Sequence, residues 1–351
     1  MDQSFWAGKR VFVTGHTGFK GGWLSLWLQE LGAQVFGFAL PPPTTPSLYE
    51  LAGVSDHMES RIGDIRDLSD LKSAITAAQP EIVLHLAAQP LVLESYDSPL
   101  ETMQTNIMGT AHLLDALRGL RSLKSVVVVT SDKCYANREW HWAYREDEAM
   151  GGADPYSMSK GCTELVTDSY RSSFFNSDTA PGIATARAGN VIGGGDYAKD
   201  RIITDVMAAM RKGRPVQVRN PTAVRPWQHV LEPLHGYLVL AEALYSQPKE
   251  HSQGWNFGPT DEDAKPVGWI CDELTRRWGN GASWEQDGGR YHHEATYLKL
   301  DSSKARSLLG WHSKLSLSQT LDWILDWSRA ADSGDNLRET TIRQIHTFQD
   351  S

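Results

Sequence analysis

The feature that most restricts the fold is a glycine-rich turn near the start of the chain. Residues 11–13 form a short apolar run that predicts a buried strand, and Gly15, Gly18 and Gly21 follow it. A helical pattern comes next and stops at Gly32. This order permits a tight turn, a close backbone approach to a pyrophosphate and a helix N-terminus directed at its charge. It favours a dinucleotide-binding unit over an ordinary strand–helix turn.

Strand and helix patterns then alternate through the first half of the chain. Apolar, β-rich runs at 33–40, 81–86 and 125–130 alternate with helical patterns at 68–78 and 106–117. Such alternation predicts a Rossmann-like α/β fold, with a doubly wound parallel sheet between layers of helices. Ligands of such sheets bind at the carboxyl ends of the strands.

The end of the second strand bears on which dinucleotide binds. An acid often stands there to bind the ribose hydroxyls, yet residues 37–43 read GFALPPP and contain none. They also contain no Lys or Arg that would pair with a 2′-phosphate. We therefore expect NAD rather than NADP.

Two groups of polar residues predict chemistry. Tyr156 and Lys160 are four residues apart, so they share a helix face on which the ammonium can stabilise a phenolate. Ser131, Asp132 and Lys133 follow the strand at 125–130, which places them at the carboxyl edge of the sheet. A Tyr–Lys pair alone can be a surface coincidence, but the preceding Ser-Asp-Lys favours an active site.

Together these features resemble the extended short-chain dehydrogenase/reductase family, and within it the nucleotide-sugar 4,6-dehydratases. The resemblance covers nearly the whole chain and includes Asp64-Ile65 and Leu-Ala-Ala at 86–88. The common Thr-Asp-Glu of the dehydratases is Ser-Asp-Lys at 131–133. In this motif, and in the sequences at 219–221, 225–230 and 293–301, the chain is similar to the dehydratases that act on CDP-glucose.

The resemblance implies conversion of CDP-glucose to CDP-4-keto-6-deoxyglucose and water, a step of deoxysugar and O-antigen precursor biosynthesis. NAD would take a hydride from C4 and return it to C6. Tyr156 would take the 4-hydroxyl proton, aided by Lys160, and Ser131 would orient O4. Asp132 would protonate the departing 6-hydroxyl. Lys133 would remove the C5 proton, or would instead position the acid or stabilise the enolate.

The resemblance also implies the binding residues. Those for the cofactor are Gly15, Thr17, Gly18, Phe19, Lys20, Gly21, Asp64, Ile65, Leu86, Ala87, Ala88, Gln89, Tyr156 and Lys160. Those for the nucleotide sugar are Asn190, Arg201, Arg219, Arg225, Asn256 and His293. Residues 1–187 would form the NAD-binding domain, to which 230–262 return. Residues 188–229 and 263–345 would form a smaller mixed α/β lobe that binds the sugar nucleotide.

Composition restricts the partners. The 34 Lys and Arg residues against 43 Asp and Glu give a net charge of −9, which argues against nucleic acid and requires a local basic pocket for any anionic ligand. The three cysteines form no disulfide pattern, and neither a signal sequence nor a membrane-spanning run is evident, so we expect a cytoplasmic protein. The 12 histidines show no metal-site spacing. By resemblance, a homodimer or homotetramer would form through helices near 98–118 and 156–175.

Two other functions stay open at this point. A nucleotide-sugar 4-epimerase would share Tyr156 and Lys160 but would leave Asp132 and Lys133 without a role. A non-catalytic NAD-binding regulator would need none of these residues, nor Ser131.

Overall fold

The alternation of strands and helices in the sequence appears as a layered α/β protein. A computed structural model describes residues 1–289 and 297–351. The strands in this part of the chain are β1 Arg10–Thr14, β2 Gln34–Ala39, β3 Glu59–Ile62, β4 Ile82–His85, β5 Ser125–Val129, β6 Gly182–Arg187, β7 Val191–Ile192, β8 Val216–Val218, β9 Val224–Pro226, β10 Gln228–His229, β11 Gly254–Asn256, β12 Ala264–Pro266 and β13 Trp284–Gln286. The helices are α1 Phe19–Glu30, α2 Leu48–Leu51, α3 Leu68–Ala78, α4 Val92–Asp97, α5 Pro99–Met103, α6 Gly109–Ala116, α7 Pro155–Phe174, α8 Ile202–Arg211, α9 Leu231–Ser246, α10 Pro248–His251, α11 Val267–Trp278, α12 Ser303–Leu309, α13 Leu317–Ser333 and α14 Leu337–Gln349.

Seven parallel strands form the central sheet, in the order β11-β6-β5-β4-β1-β2-β3. The chain leaves β1 towards one edge and resumes at β4 towards the other, so the strand order reverses between these two strands. At such a switch point the loops diverge and leave a crevice at the carboxyl ends of the strands. The predicted doubly wound parallel sheet is confirmed, and this crevice is where its ligands belong.

Alternate side chains of each strand enter separate cores. In β1, Val11 and Val13 face a core that includes Trp23 and Trp27 of α1 and part of α9, whereas Phe12 faces a core built from α3 and α6. β4 and β5 are buried along their whole length because helices cover both faces. The sheet is therefore a rigid platform for the loops at its carboxyl edge.

The second half of the chain adds a smaller unit and one strand of the sheet. Helices α8, α11 and α13 enclose a third core, joined by the two-stranded pairs β7–β10, β9–β12 and β8–β13. After α9 the chain returns to the sheet, because β11 pairs with β6 at its edge. Among the described residues, no helix combines the length and apolar character that crossing a bilayer requires.

One predicted helix contains an irregular turn. The pattern at 106–117 predicts a helix, and the structure has one that includes a wider π-helical turn, Gln104–Met108, directly before α6. The carbonyl of Asn106 accepts hydrogen bonds from the hydroxyls of Thr110 and Thr163. Turns of this kind often occur beside functional sites, and this one lies next to α7.

Candidate active site

The glycine turn between β1 and α1 leaves no room for side chains. Gly15 has a φ of 80°, and a Cβ there would lie 2.7 Å from the backbone nitrogen of Ala87. A Cβ on Gly21 would lie 2.0 Å from the Gly15 carbonyl oxygen. Gly18 caps α1 without a side-chain hydrogen bond, so the first N–H groups of the helix remain directed outward. The turn therefore fits the pyrophosphate of a dinucleotide.

The end of β2 bears no charge. The hydroxyl of Thr17 donates a 2.8 Å hydrogen bond to the carbonyl of Leu40, which draws the glycine turn against this strand. Leu40 itself is half exposed and apolar. Because no cation stands there to pair with a 2′-phosphate, this end of β2 is suited to NAD.

Asp64 and Ile65 have separate roles after β3. Asp64 accepts hydrogen bonds from the backbone N–H and the guanidinium of Arg66, at 2.8 and 2.9 Å, and these hold the pKa of its carboxyl below the usual range. Ile65 is buried against Gly109, where a Cβ would lie 2.5 Å from its side chain. The carboxylate is thus ionised and fixed in place.

The loop after β4 is tied to helix α7. Ala87 donates its N–H to the hydroxyl of Thr14 at 3.2 Å. The N–H of Gln89 bonds the side chain of Asn106 at 2.8 Å, and the Asn106 amide in turn donates to the hydroxyl of Ser159 at 2.8 Å. The wall of the crevice and the helix that carries the Tyr–Lys pair therefore hold each other in register.

Ser131, Asp132 and Lys133 form a tight turn at the carboxyl end of β5. The Ser131 hydroxyl donates to Asp132 Oδ1 at 2.9 Å and accepts the N–H of Lys133 at 3.2 Å, which caps the 3₁₀ turn Asp132–Cys134. The other carboxyl oxygen, Asp132 Oδ2, is buried and has no hydrogen-bond partner among the residues that the structure describes. A buried polar atom of this kind is expected to bind a ligand or water.

Helix α7 presents Tyr156 and Lys160 to the same crevice. Asp154 caps the helix by accepting the N–H of Ser157 at 2.8 Å, which fixes where the first turn begins. Tyr156 and Lys160, one turn apart, are only 8% and 5% exposed. The ammonium of Lys160 reaches the carbonyl of Val129 at 3.4 Å, at the end of β5.

Burial dominates the acid–base properties of this pair. It raises the pKa of Tyr156 to about 12, against a hydrogen bond with Ser131 and the charge of Arg201, which lower it. It lowers the pKa of Lys160 to about 8, against the charge of Glu164, which raises it. The Tyr–Lys spacing predicted a stabilised phenolate, which would require a lowered tyrosine pKa. In the structure the pKa of Tyr156 is raised instead, because desolvation outweighs the hydrogen bond and the charges around the phenol.

Burial also raises the pKa of Asp132. The charge of Lys133, the hydrogen bond from Ser131 and the charges of Arg225 and Lys20 oppose this effect without overcoming it. A raised pKa favours the protonated form of a carboxyl group, from which a proton can be donated. Asp132 thus has the property that a general acid needs.

The three predicted arginines do not lie in equivalent places. Arg201 pairs with Asp196 at 2.7 Å, and Arg219 lies 4.0 Å from Asp200. Arg225, in β9, donates to a neighbouring backbone carbonyl, and its charge reaches the Asp132 carboxyl. The charges of Arg201 and Arg225 therefore act on Tyr156 and Asp132, whereas Arg219 pairs with Asp200 just before α8.

The comparison with known families agrees with this site. A family model described as GDP-mannose 4,6 dehydratase matches residues 12–323, which is most of the chain. The chain belongs to this dehydratase family. Among curated relatives, the CDP-glucose 4,6-dehydratase of Salmonella typhimurium is 55% identical over 352 residues, covering 99% of this chain and 98% of that one. The dTDP-glucose 4,6-dehydratase of Xanthomonas campestris is 27% identical, covering 89% and 92%.

Solved structures show the same fold outside the dehydratases. A UDP-glucose 4-epimerase from Thermotoga maritima superposes with a TM-score of 0.78 at 21% identity, covering 92% of this chain and 99% of that one. A UDP-glucuronic acid 4-epimerase from Bacillus cereus, solved with UDP-glucuronic acid and NAD, gives 0.78 at 21% over the same shares. At this identity the likeness establishes the architecture alone.

The family's Tyr–Lys helix rests on a buried ion pair that the sequence analysis missed. Glu164, one turn after the catalytic lysine, pairs with Arg187 of β6 at 2.8 Å, and both side chains are buried. The hydroxyls of Thr130 and Thr185 also donate to this carboxylate. The helical spacing from Lys160 to Glu164 was visible in the sequence, but nothing in the sequence marked the partner on β6.

Three predicted substrate residues need comment. Asn190 lies between β6 and β7 with a φ of 36°. Asn256 is buried and fully used by the protein, since it accepts from Tyr135 and donates to the carbonyls of Tyr144 and Asp301. These contacts give Asn256 a role in joining β11 to neighbouring loops. His293 lies outside the described residues.

Proposed function

We propose that the protein is a CDP-glucose 4,6-dehydratase that converts CDP-glucose to CDP-4-keto-6-deoxyglucose and water. The observation that carries this proposal is the position of Asp132, a buried acid with a raised pKa that is joined through Ser131 to the catalytic Tyr156. A 4-epimerase has no step that needs such an acid. The full-length 55% identity to a CDP-glucose 4,6-dehydratase supports the choice of substrate.

The glycine turn and the loops after β2, β3 and β4 would hold NAD. When bound, NAD supplies a hydride acceptor for C4 and a hydride donor for C6. Lys160 lies one helical turn from Tyr156, and its ammonium donates to the carbonyl of Val129. Gln89 fixes the wall of the crevice, because its backbone N–H donates to the side chain of Asn106. Tyr156 Oη takes the proton of the sugar 4-hydroxyl, and Ser131 orients O4.

Loss of water depends on Asp132 and Lys133, the two residues that follow Ser131. Asp132 would donate a proton to the departing 6-hydroxyl, because its carboxyl has a raised pKa and its Oδ2 makes no hydrogen bond to a described residue. Lys133, whose charge lowers the pKa of Asp132, stabilises negative charge that develops on the sugar. These steps follow oxidation at C4. Because the sugar then carries a ketone at C4, its C5 proton is more acidic and can be removed as the 6-hydroxyl departs.

The arginines would bind the diphosphate. A guanidinium fork matches two phosphate oxygens, which favours Arg201, Arg219 and Arg225 over lysines for this task. Asn190 would contact the same group. This basic pocket would attract an anionic substrate to a chain whose net charge is −9.

We also propose the wider organisation. Residues 1–187 with 230–262 would form the NAD-binding domain, and 188–229 with 263–345 the sugar-nucleotide lobe. Exposed apolar side chains on α5 and α7, Leu100 and Leu165, support pairing with a second copy of the chain. Cys134, Cys162 and Cys271 are unpaired, which fits a reducing cytoplasm.

Product analysis tests the function directly. The protein with NAD is incubated with CDP-glucose, and product is measured by the absorbance that 4-keto-6-deoxy sugars develop in alkali, with mass spectrometry for the lost water. We expect product with CDP-glucose and much less with dTDP-, UDP- or GDP-glucose. Tyr156→Phe is the matched control and should give none. A change of sugar configuration without water loss would identify a 4-epimerase instead.

A further inference from the structure

Lys20 reaches the catalytic centre rather than staying at the glycine turn that carries it. It is the second residue of α1, and its ammonium lies 6.0 Å from the centroid of the Tyr237 ring on α9. The charges of Lys160 and Asp132 are close enough to act on it. Residues from four separate segments of the chain therefore meet at this ammonium.

Within residues 1–289 and 297–351, the ammonium of Lys20 makes neither a hydrogen bond nor an ion pair, and its side chain is partly buried. Within the same residues, Asp132 has a buried oxygen, Oδ2, without a hydrogen-bond partner. A buried polar atom without a partner is costly to maintain, so this oxygen, together with a nearby ammonium that lacks a counter-ion, indicates a ligand that contacts both groups.

The aromatic ring of Tyr237 faces the ammonium of Lys20. Its side chain is wholly buried, and its hydroxyl has no hydrogen-bond partner in the part of the chain described. The charges of Tyr156 and Asp132 act on this phenol, which places it on the catalytic side of α9. Because the Tyr237 ring is wholly buried and the Lys20 side chain is only partly buried, Lys20 is the member that can touch substrate and Tyr237 is a positioning residue.

We propose that Lys20 is a catalytic residue that removes the C5 proton during water loss. This inference rests on the proposed dehydratase function and extends it. The neutral amine of Lys20 forms an N–H bond with the C5 proton, and the electrons of the C5–H bond move into the bond between C5 and C6. The C6–O bond breaks, and the leaving oxygen takes a proton from Asp132 to depart as water. Lys20 then returns its proton to C5 as C6 receives the hydride.

The electrostatic surroundings suit a neutral amine. Burial, with the nearby cations Arg201 and Lys160, lowers the pKa of Lys20 to about 7, against Asp132 and Asp196, which raise it. The other titratable groups that face this region are Lys133, Tyr156, Tyr237 and Arg225. A lysine that is desolvated beside other cations is a recognised form of activated base. Lys133 keeps the electrostatic role described above.

Two substitutions of Lys20 distinguish a role as a base from a role in binding phosphate. Lys20→Arg keeps a cation that binds phosphate but cannot accept a proton near neutral pH, and Lys20→Met removes both properties. The proposal expects both variants to lose water at least about 100-fold more slowly than the parent enzyme. Both should still oxidise C4, so reduced cofactor should accumulate in single-turnover absorbance measurements. In the parent enzyme, kcat should rise with pH through about 7, and this rise should disappear in Lys20→Arg.

Lys212→Met, at an exposed site at the end of α8, is the control and should retain parental rates. Lys20→Arg with turnover within a few-fold of the parent enzyme would overturn the proposal, because a base cannot be replaced in this way. A weakened NAD affinity in Lys20→Met, measured by calorimetry, with normal water loss at saturating NAD would also overturn it. If Lys20→Met does not fold, Lys20→Arg decides the question. Absence of product with the parent enzyme would count against the proposed function rather than this inference.

Discussion

The Asp132 carboxyl packs so closely against the backbone of Gly189 that a Cβ at residue 189 would lie 2.1 Å from Oδ2. Asp132 follows β5 and Gly189 follows β6, and these strands are neighbours in the sheet. The Asp132 carboxyl therefore occupies a space that residue 189, following the adjacent strand, leaves open. Its position depends on the absence of a side chain at residue 189.

Gly189→Ala should displace the carboxyl and slow water loss. A misplacement of about 1 Å at a reacting group can cost about 100-fold in rate. NAD affinity should stay unchanged, since the glycine turn is elsewhere. Product formation with CDP-glucose and calorimetric NAD titration measure the two effects. Gly288→Ala, where a Cβ would meet nothing within 4 Å, should behave as the parent enzyme; equal rates in both variants would contradict the close packing.

Asp132→Asn should separate the two halves of the reaction. The amide has nearly the same shape but cannot donate the proton that the 6-hydroxyl needs, so water loss should fall by about 100-fold to 10,000-fold. Oxidation at C4, which Tyr156 serves, should fall much less. Single-turnover measurements of reduced cofactor and of product follow the two steps separately. Equal slowing of both would show that Asp132 is not the acid.

Glu164→Gln should reduce stability and alter the pH dependence of activity. It leaves Arg187 buried without its counter-charge, which should cost about 3–5 kcal/mol of the free energy of unfolding. Because Glu164 raises the pKa of Lys160, its removal should also lower the pH at which Lys160 loses its proton, and we expect kcat to decline from that lower pH. Asp178→Asn, which removes an exposed partner of Lys249, should leave the free energy of unfolding nearly unchanged. Urea unfolding and a pH–rate profile check both effects.

Glu232→Gln should stabilise the protein at high pH. Glu232 is buried, its Oε1 accepts the N–H groups of Lys314 and Leu315 at 2.9 and 2.6 Å, and burial raises its pKa to about 7. A raised pKa means that the folded state binds the proton more tightly, so stability is lost as pH rises from about 4.5 to about 7. The amide avoids that loss, which amounts to about 3 kcal/mol at most.

Urea unfolding of Glu232→Gln at several pH values between those limits measures this difference. The exposed Glu250→Gln is the matched control and should show no pH-dependent gain. A difference from the parent protein that does not change with pH would argue against titration of Glu232.

Leu165→Asp should prevent self-association. Leu165 on α7 is 59% exposed and Leu100 on α5 is 74% exposed, which is unusual for large apolar side chains on adjacent helices. A charge placed in the proposed dimer interface would be buried without a partner, so the variant should be monomeric where the parent protein is a dimer. Sedimentation velocity measures the mass. Leu308→Asp, an equally exposed leucine on α12, should leave the assembly intact.

The sequence predicted correctly the elements and residue groups that depend on residues close together along the chain. The strand–glycine–helix order at residues 11–32 predicted β1, the turn and α1, because tight turns require glycine at particular positions. Helical spacing placed Tyr156 and Lys160 on one face, and alternation of strands and helices predicted the parallel sheet. The helix predicted at 106–117 is confirmed, but its π-helical turn was not predicted, because Asn106 contacts residues on other segments such as Thr163.

By itself, then, the sequence determined the order of elements and the Ser-Asp-Lys and Tyr-x-x-x-Lys groups, since periodicity and turn chemistry act over a few residues. Only the tertiary structure decided that Lys20 lies near Asp132, that Glu164 pairs with Arg187, and that burial raises the pKa of Tyr156. The physical reason is that desolvation and long-range charge depend on how segments pack together, and packing follows from the whole chain rather than from any local pattern.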